Sequence, residues 1–194
     1  MFDLSWLFRL FQTYGSDPSD SPEPDNASSG LFDPFDGGIV IPVGRKECFE
    51  TFGDPGVTHD RKGRAFVSRS WERRNLGIAR IDGIPRGKIY IHRKVEPYLR
   101  EAIRRANKSC PGYCIETLGC FNPRHQRHNR RRPLSYHTWA VAVDINHRNN
   151  MPGTDGDMPD DFVRSFISVG WEWGGSWRWR DPMHFQLVIT HNKK

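Results

Sequence analysis

The sequence predicts an α+β domain, and three observations lead there. Two stretches carry helical patterning: Val95–Asn107 puts Val95, Leu99, Ala102, Ile103 and Ala106 on one face and bases on the other, and Asp160–Val169 opens on acids and closes at Gly170. Short runs suited to strands stand apart from them: Asn75–Arg80, Lys88–His92, Ala140–Val143 and Phe185–Ile189. Turn-forming segments separate these elements, notably Gly83–Gly87 and the polar loop 147–159.

Taken in order, the chain divides into three parts. In residues 1–14, Leu4, Leu7, Phe8 and Phe11 follow the i, i+3, i+4, i+7 template of a short amphipathic helix over residues 3–14. So short a helix is marginal alone and should dock on its own domain or a partner. Residues 15–37 are rich in Gly, Ser, Pro and Asp and contain no base, which predicts a disordered linker. The folded domain is expected to begin near Gly38 and occupy residues 38–194, with a first strand at Ile39–Val43. Residues 47–74 read as turn-rich, with Gly53, Pro55, Gly56 and Gly63. Within the domain, Ala140–Val143 is small and β-branched, as a buried strand requires, and residues 171–179 hold four tryptophans around Gly174-Gly175.

Charge is unevenly spread. The formal net charge of the 194 residues is +6, but residues 1–44 hold one base (Arg9) and seven acids, so that region carries −6 and the remainder +12. A basic domain seeks a polyanion: nucleic acid, anionic lipid or an anionic wall. Five arginines and two histidines crowd residues 124–132, either as a solvated loop or as a rim facing an anion. No aromatic side chain is interleaved among them to stack on bases, so no specific nucleic acid is expected. No apolar run approaches the ~20 residues that span a bilayer, so no transmembrane segment is expected. The N-terminus lacks the basic region and cleavage site of a classical signal peptide. Cys48, Cys110, Cys114 and Cys120 do not match the spacing of a zinc ribbon or finger. Buried free thiols are the favoured reading, with one disulfide an alternative outside the cytoplasm. His59 and His92 have no partner at useful spacing and read as ordinary histidines.

The stretch Ser135–Asp144, read together with Asp181–His184, holds the chemistry. His137, Asp144 and His184 offer two imidazoles and a carboxylate, a recurring ligand set of catalytic zinc that leaves a fourth position open. Asp181 adds a second carboxylate three residues before His184, where a metallohydrolase needs a general base. His137 and Asp144 are seven apart, and an odd separation in one flat strand puts side chains on opposite faces. They can share a site only if His137 sits in the turn before the strand and Asp144 at or near its far end, or if the chain bends between them. The other account of His184 is a core histidine bonded to backbone or directly to Asp144.

The pattern Ser135-x-His137-x-x-Ala140-x-Ala142-x-Asp144, followed by Asp181-Pro182-Met183-His184-Phe185, resembles the zinc peptidoglycan peptidases of the Hedgehog/DD-peptidase superfamily. These are the D-alanyl-D-alanine carboxypeptidases and the L-alanyl-D-glutamate endopeptidases of bacteria and phage endolysins. Gly119-Cys120-Phe121-Asn122-Pro123-Arg124, Asp144-Ile145-Asn146 and Gly170-Trp171-x-Trp173-Gly174-Gly175-x-Trp177 are similar to the endopeptidase-like branch, and the likeness spans roughly residues 75–190.

The resemblance implies a compact domain with a small antiparallel sheet flanked by helices. It implies zinc (Zn2+) held by His137, Asp144 and His184. Asp181 would be the general base and Arg124 the group facing the developing oxyanion. Ser135 and Trp173 would line the substrate, with packing as their alternative role, and Glu172 is a rival base. Ala140 stands where glycine is usual, and Gln186 where an acid is common. The function implied is hydrolysis of peptidoglycan stem peptides, first as an L-alanyl-D-glutamate endopeptidase and second as a D-alanyl-D-alanine carboxypeptidase. The rival from another class is a non-catalytic basic protein that binds wall or nucleic acid. Peptidoglycan is the expected partner, the cell wall or periplasm the expected place of action, and a monomer the expected state.

Overall fold

The computed structural model describes residues 45–188. The helix expected at 3–14, the linker at 15–37, the strand at Ile39–Val43 and the last residue of the strand expected at Phe185–Ile189 lie outside the described residues.

The α+β expectation holds. Among the described residues, four α-helices and eight short strands alternate with tight turns, and every strand pairing is antiparallel. Helix α1 (Arg45–Phe52) leads to the hairpin β1 (Thr58–His59) and β2 (Ala65–Phe66), then to α2 (Arg69–Asn75). Strands β3 (Leu76–Arg80) and β4 (Lys88–His92) form a second hairpin, followed by α3 (Glu96–Ser109) and β5 (Leu118–Gly119). Strand β6 (Ala142–Ile145), α4 (Asp160–Ile167), β7 (Trp171–Trp173) and β8 (His184–Leu187) complete the domain. β5, β6, β8 and β7 form one four-stranded sheet in that order.

The sheet is amphipathic in the sense that matters here. Residues paired directly across an antiparallel ladder project to the same face. Val143 pairs with Phe185, Phe185 with Trp173, and Trp171 with Leu187, which gathers the apolar side chains. Phe166 of α4 covers that face, its ring 4.5 Å from Phe185 and 5.9 Å from Trp171. Full burial of one such ring contributes about 2–3 kcal/mol. Helix α3 buries Tyr98, Leu99, Ala102, Ile103 and Ala106, the face its periodicity predicts, and packs beside α4, where Ser109 and Ser165 hydroxyls meet at 2.8 Å. The opposite face of the sheet carries Asp144, paired with His184, and Gln186, paired with Glu172.

Two expectations need correction. Residues 47–74 are not turns throughout, because α1 and α2 lie there. Both helices are short and lack a long apolar repeat, and their anchors are single side chains: Cys48 and Phe52, one turn apart, and Trp71, whose indole donates to the Phe52 carbonyl at 2.9 Å. The buried strand also begins two residues late. Ala140 takes φ +55°, so it makes a turn, and the ladder starts at Ala142. No disulfide joins the four cysteines, and only Cys48 and Cys120 are buried; Cys114 is exposed. No helix among the described residues is long and apolar enough to cross a membrane.

Candidate metal centre and active site

His137 sits in a 3-10 turn, Tyr136–Thr138, and not in a strand. Ser135 starts that turn, its hydroxyl accepting from the His137 amide at 3.4 Å. The left-handed Ala140 then brings the chain into β6, which carries Asp144, and β8 opens with His184 directly opposite. The odd spacing of His137 and Asp144 is thus reconciled by the first of the two routes open to it, a turn before the strand.

The three side chains converge. His137 Nε2 lies 3.1 Å from Asp144 Oδ1, His184 Nδ1 lies 3.0 Å from the same oxygen, and the two ring nitrogens are 3.2 Å apart. The outer nitrogens determine what these inner atoms carry. His137 Nδ1 is 2.6 Å from the Cys120 carbonyl, which can only accept, so Nδ1 holds the proton. His184 Nε2 is 3.3 Å from Gln186 Oε1. Gln186 is oriented by its own Nε2, which donates to Glu172 at 2.7 Å, so His184 Nε2 is the donor.

Both inner nitrogens therefore present lone pairs, and both point at a carboxylate oxygen. Three electron pairs within 3.2 Å, with no proton between them, are unfavourable unless a cation lies among them. A tetrahedral zinc with ligands at about 2.0–2.1 Å has ligand–ligand edges near 3.3 Å. The donor set and spacing fit such an ion, and His137, Asp144 and His184 are the cluster among the described residues able to hold one. Burial pushes the His137 imidazole below its ordinary pKa, favouring the neutral ligand form.

Asp181 stands next to this cluster. Burial raises its carboxyl above the ordinary value, and the charge of Asp144 adds to the rise, while His184, His137 and Arg124 oppose it. Its Oδ1 is buried without a hydrogen-bond partner among the described residues, so an acceptor is left open. Gly174 makes room for it: the Asp181 amide donates to the Gly174 carbonyl at 2.9 Å, and a Cβ on Gly174 would stand 2.5 Å from the Asp181 carbonyl oxygen. Arg124 is strapped to the His137 turn by Thr138, whose hydroxyl donates to the Arg124 carbonyl at 3.0 Å. Its guanidinium reaches to 3.7 Å from Asp144 Oδ2 and is largely buried, unlike the exposed arginines that follow it.

The remaining candidates fall elsewhere. Trp173 projects from the Phe185 side of the sheet, and its indole donates to the Pro182 carbonyl at 2.8 Å. The ring that meets His184 is Trp177, at 5.4 Å. Glu172 has both oxygens engaged, one by the Trp177 indole at 2.8 Å and the other by Gln186, whereas Asp181 Oδ1 is open. Residue reasoning missed Trp177, the Cys120 carbonyl and the Gln186–Glu172 link. Gln186 was visible as an unusual residue, and Trp177 as part of a tryptophan-rich stretch. The reading of His59 is also corrected: its Nε2 lies 3.1 Å from His125 Nε2, with the rings stacked at 5.1 Å.

A family model described as D-alanyl-D-alanine carboxypeptidase matches residues 128–187. That stretch contains His137, Asp144, Asp181 and His184 and ends before Val188. The match supports a peptidase of this family without choosing among its members. No curated protein and no solved structure matches the chain.

Proposed function

We propose that this chain is a zinc-dependent peptidase acting on peptidoglycan stem peptides in the cell wall, with cleavage of the L-alanyl–D-glutamate bond as the first reading. The observation that carries it is the convergence of three lone pairs from His137, Asp144 and His184 beside the open acceptor of Asp181. His137, Asp144 and His184 would hold the zinc ion, which would supply Lewis acidity at the scissile carbonyl. Asp181 takes a proton from the attacking water and gives it to the leaving amine, and its raised pKa suits both halves of that exchange. Arg124 faces the carbonyl oxygen as negative charge develops on it, from a position fixed by Thr138.

Carboxypeptidase action on D-alanyl-D-alanine is the second reading, favoured by the description of the matching family. The test is mass spectrometry of purified peptidoglycan digested with zinc and with a chelator. Chelator-sensitive release of stems with a free D-Glu amino group is the expected result. Loss of a single D-Ala assigns the carboxypeptidase instead, and no change under either condition favours the binding-protein rival.

A further inference from the structure

Beside the triad lies a cavity of about 430 Å³ with an uncommon wall. Lys62, Arg64, Arg124 and Arg130 line it, joined by His125 and His128, and no carboxylate does. Two loops build it. The β1–β2 turn is set by Asp60, whose carboxylate accepts the amides of Lys62 and Arg64 at 2.9 Å each, and by left-handed Gly63. The loop after β5 is closed by the Ser135 amide on the Arg124 carbonyl at 2.8 Å and by the Gln126 amide on the Pro133 carbonyl at 2.9 Å. The loops touch where the Arg130 side chain crosses Gly63; a Cβ there would lie 3.9 Å from Arg130 Cδ.

Two of the four cations lining this cavity have a carboxylate partner, Arg64 with Asp60 and Arg124 with Asp144. Asp60 pairs with Arg64 at 2.7 Å, but neither Lys62 nor Arg130 has a carboxylate partner among the described residues. Of the two histidines, His125 is tied to His59: His125 Nδ1 donates to the Arg132 carbonyl at 2.6 Å, which leaves its Nε2 to accept from His59. Arg127 and His128 both hold left-handed φ in the same loop, a strained conformation of the kind found at binding sites. Arg124 belongs to both places, lining the cavity and reaching Asp144. The β1–β2 hairpin and Arg124 fall outside the stretch that matches the family, while His128 and Arg130 fall inside it. A second cavity of about 330 Å³, bordered by Asn107, Tyr113 and Ile115, has no charged side chain and none of the triad.

We propose that this basic cavity binds a carboxylate of the peptide whose scissile bond lies on the His137–Asp144–His184 cluster. Its size suits one residue and not a polymer chain, and Arg124 links its occupant to the reacting carbonyl. The proposal rests on the peptidase reading and adds what that reading lacks, a determinant of substrate charge. Two carboxylates of an acidic stem peptide could serve: the free α-carboxylate of a γ-linked D-glutamate, or the C-terminal carboxylate.

The test uses the full chain with zinc and three synthetic L-Ala-γ-D-Glu-L-Lys peptides: fully free, amidated at the D-Glu α-carboxylate, and amidated at the C-terminus. kcat/KM is measured for the wild-type protein, Lys62→Ala/Arg130→Ala and Lys62→Arg/Arg130→Lys. The wild-type protein is expected to prefer the free acid over one of the two amides by about tenfold, the scale of a charge-assisted contact, and that amide identifies the carboxylate. The alanine pair should bring the preference close to one, mainly through KM, and the conservative pair should retain it. Equal losses on all peptides, or a preference untouched by the alanine pair, overturn the proposal. Direct binding of the same peptides to the Asp181→Asn protein by calorimetry separates the two readings. Selective binding lost in the alanine pair, without turnover in the wild-type protein, keeps the carboxylate site and sinks the peptidase. Turnover without charge selectivity does the reverse.

Discussion

Asp144 Oδ1 lies 3.0 Å from His184 Nδ1 because the two residues are directly paired across β6 and β8. Such a pair is held by the ladder itself, so two of the three candidate ligands need no loop to position them. The third, His137, arrives from a turn capped by Ser135 and oriented by the Cys120 carbonyl. Replacing His137 by alanine should therefore abolish tight zinc binding as well as activity. Asp181→Ala should keep zinc and lower the rate about a hundredfold or more, the scale of a lost general base. Calorimetric zinc titration beside peptide turnover separates the two; unchanged zinc affinity in His137→Ala would show that the ligand assignment is wrong.

Gln186 couples His184 to Glu172, itself fixed by the Trp177 indole. The carboxylate thus acts on the imidazole through one intervening amide. Outer partners of this kind typically govern metal affinity by 10–100-fold. Gln186→Leu removes the acceptor for His184 Nε2–H and should weaken zinc within that range, whereas Glu172→Gln should have a smaller effect because His184 keeps its acceptor. Zinc affinity by competition with a chromophoric chelator checks both. Equal affinity in Gln186→Leu and the wild-type protein would make the link decorative.

Gly174→Ala probes the placement of Asp181, the candidate base, without touching it. The added methyl would stand 2.5 Å from the Asp181 carbonyl oxygen and 3.2 Å from its Cβ, so the Asp181 segment must move. Activity should fall at least tenfold, since misplacement by about 1 Å can cost 10²-fold, while zinc content stays near one per chain. Loss of zinc together with activity would mean that the displacement travels to His184.

How far the sequence leads depends on distance along the chain. The candidate ligands and candidate base sit in two short stretches, and the helices α3 and α4 follow from apolar repeats within their own residues. What it could not reveal requires register or long-range contact. Glu172 reaches His184 only because β7 pairs with β8 so that Glu172 faces Gln186. His59 meets His125 across 66 residues, and α1 is a helix whose buried contacts, such as Phe52 with Trp71, lie in other elements. Ala140 is instructive in another way. A residue expected only to crowd its turn takes φ +55°, a conformation that costs a non-glycine residue about 1–2 kcal/mol and accounts for glycine being usual there.

Acid stability turns on His92, which packs against Phe52 away from the His137–Asp144–His184 cluster. His92 is buried against Phe52, at 4.8 Å between rings, and near Trp71 at 6.2 Å. The Lys94 amide donates to its Nδ1 at 3.2 Å, and its Nε2 has no partner among the described residues. Burial, with Lys94 and Arg93 beside it, pushes its pKa down to about 3. The native state therefore keeps His92 neutral while the unfolded chain protonates it near pH 6.5. Its contribution is fully present above that pH and is lost as the pH falls toward 3. Between pH 7 and pH 4 this residue should cost on the order of 3 kcal/mol of stability, from the depressed pKa. Urea unfolding at both pH values, in the wild-type protein and in His92→Met, measures it as a difference between two slopes against pH. The methionine variant, which has nothing to protonate and no orphaned donor, should lose markedly less stability on acidification. Parallel losses in the two proteins would place the acid sensitivity elsewhere, with His137, whose pKa is also lowered by burial, the next residue to replace.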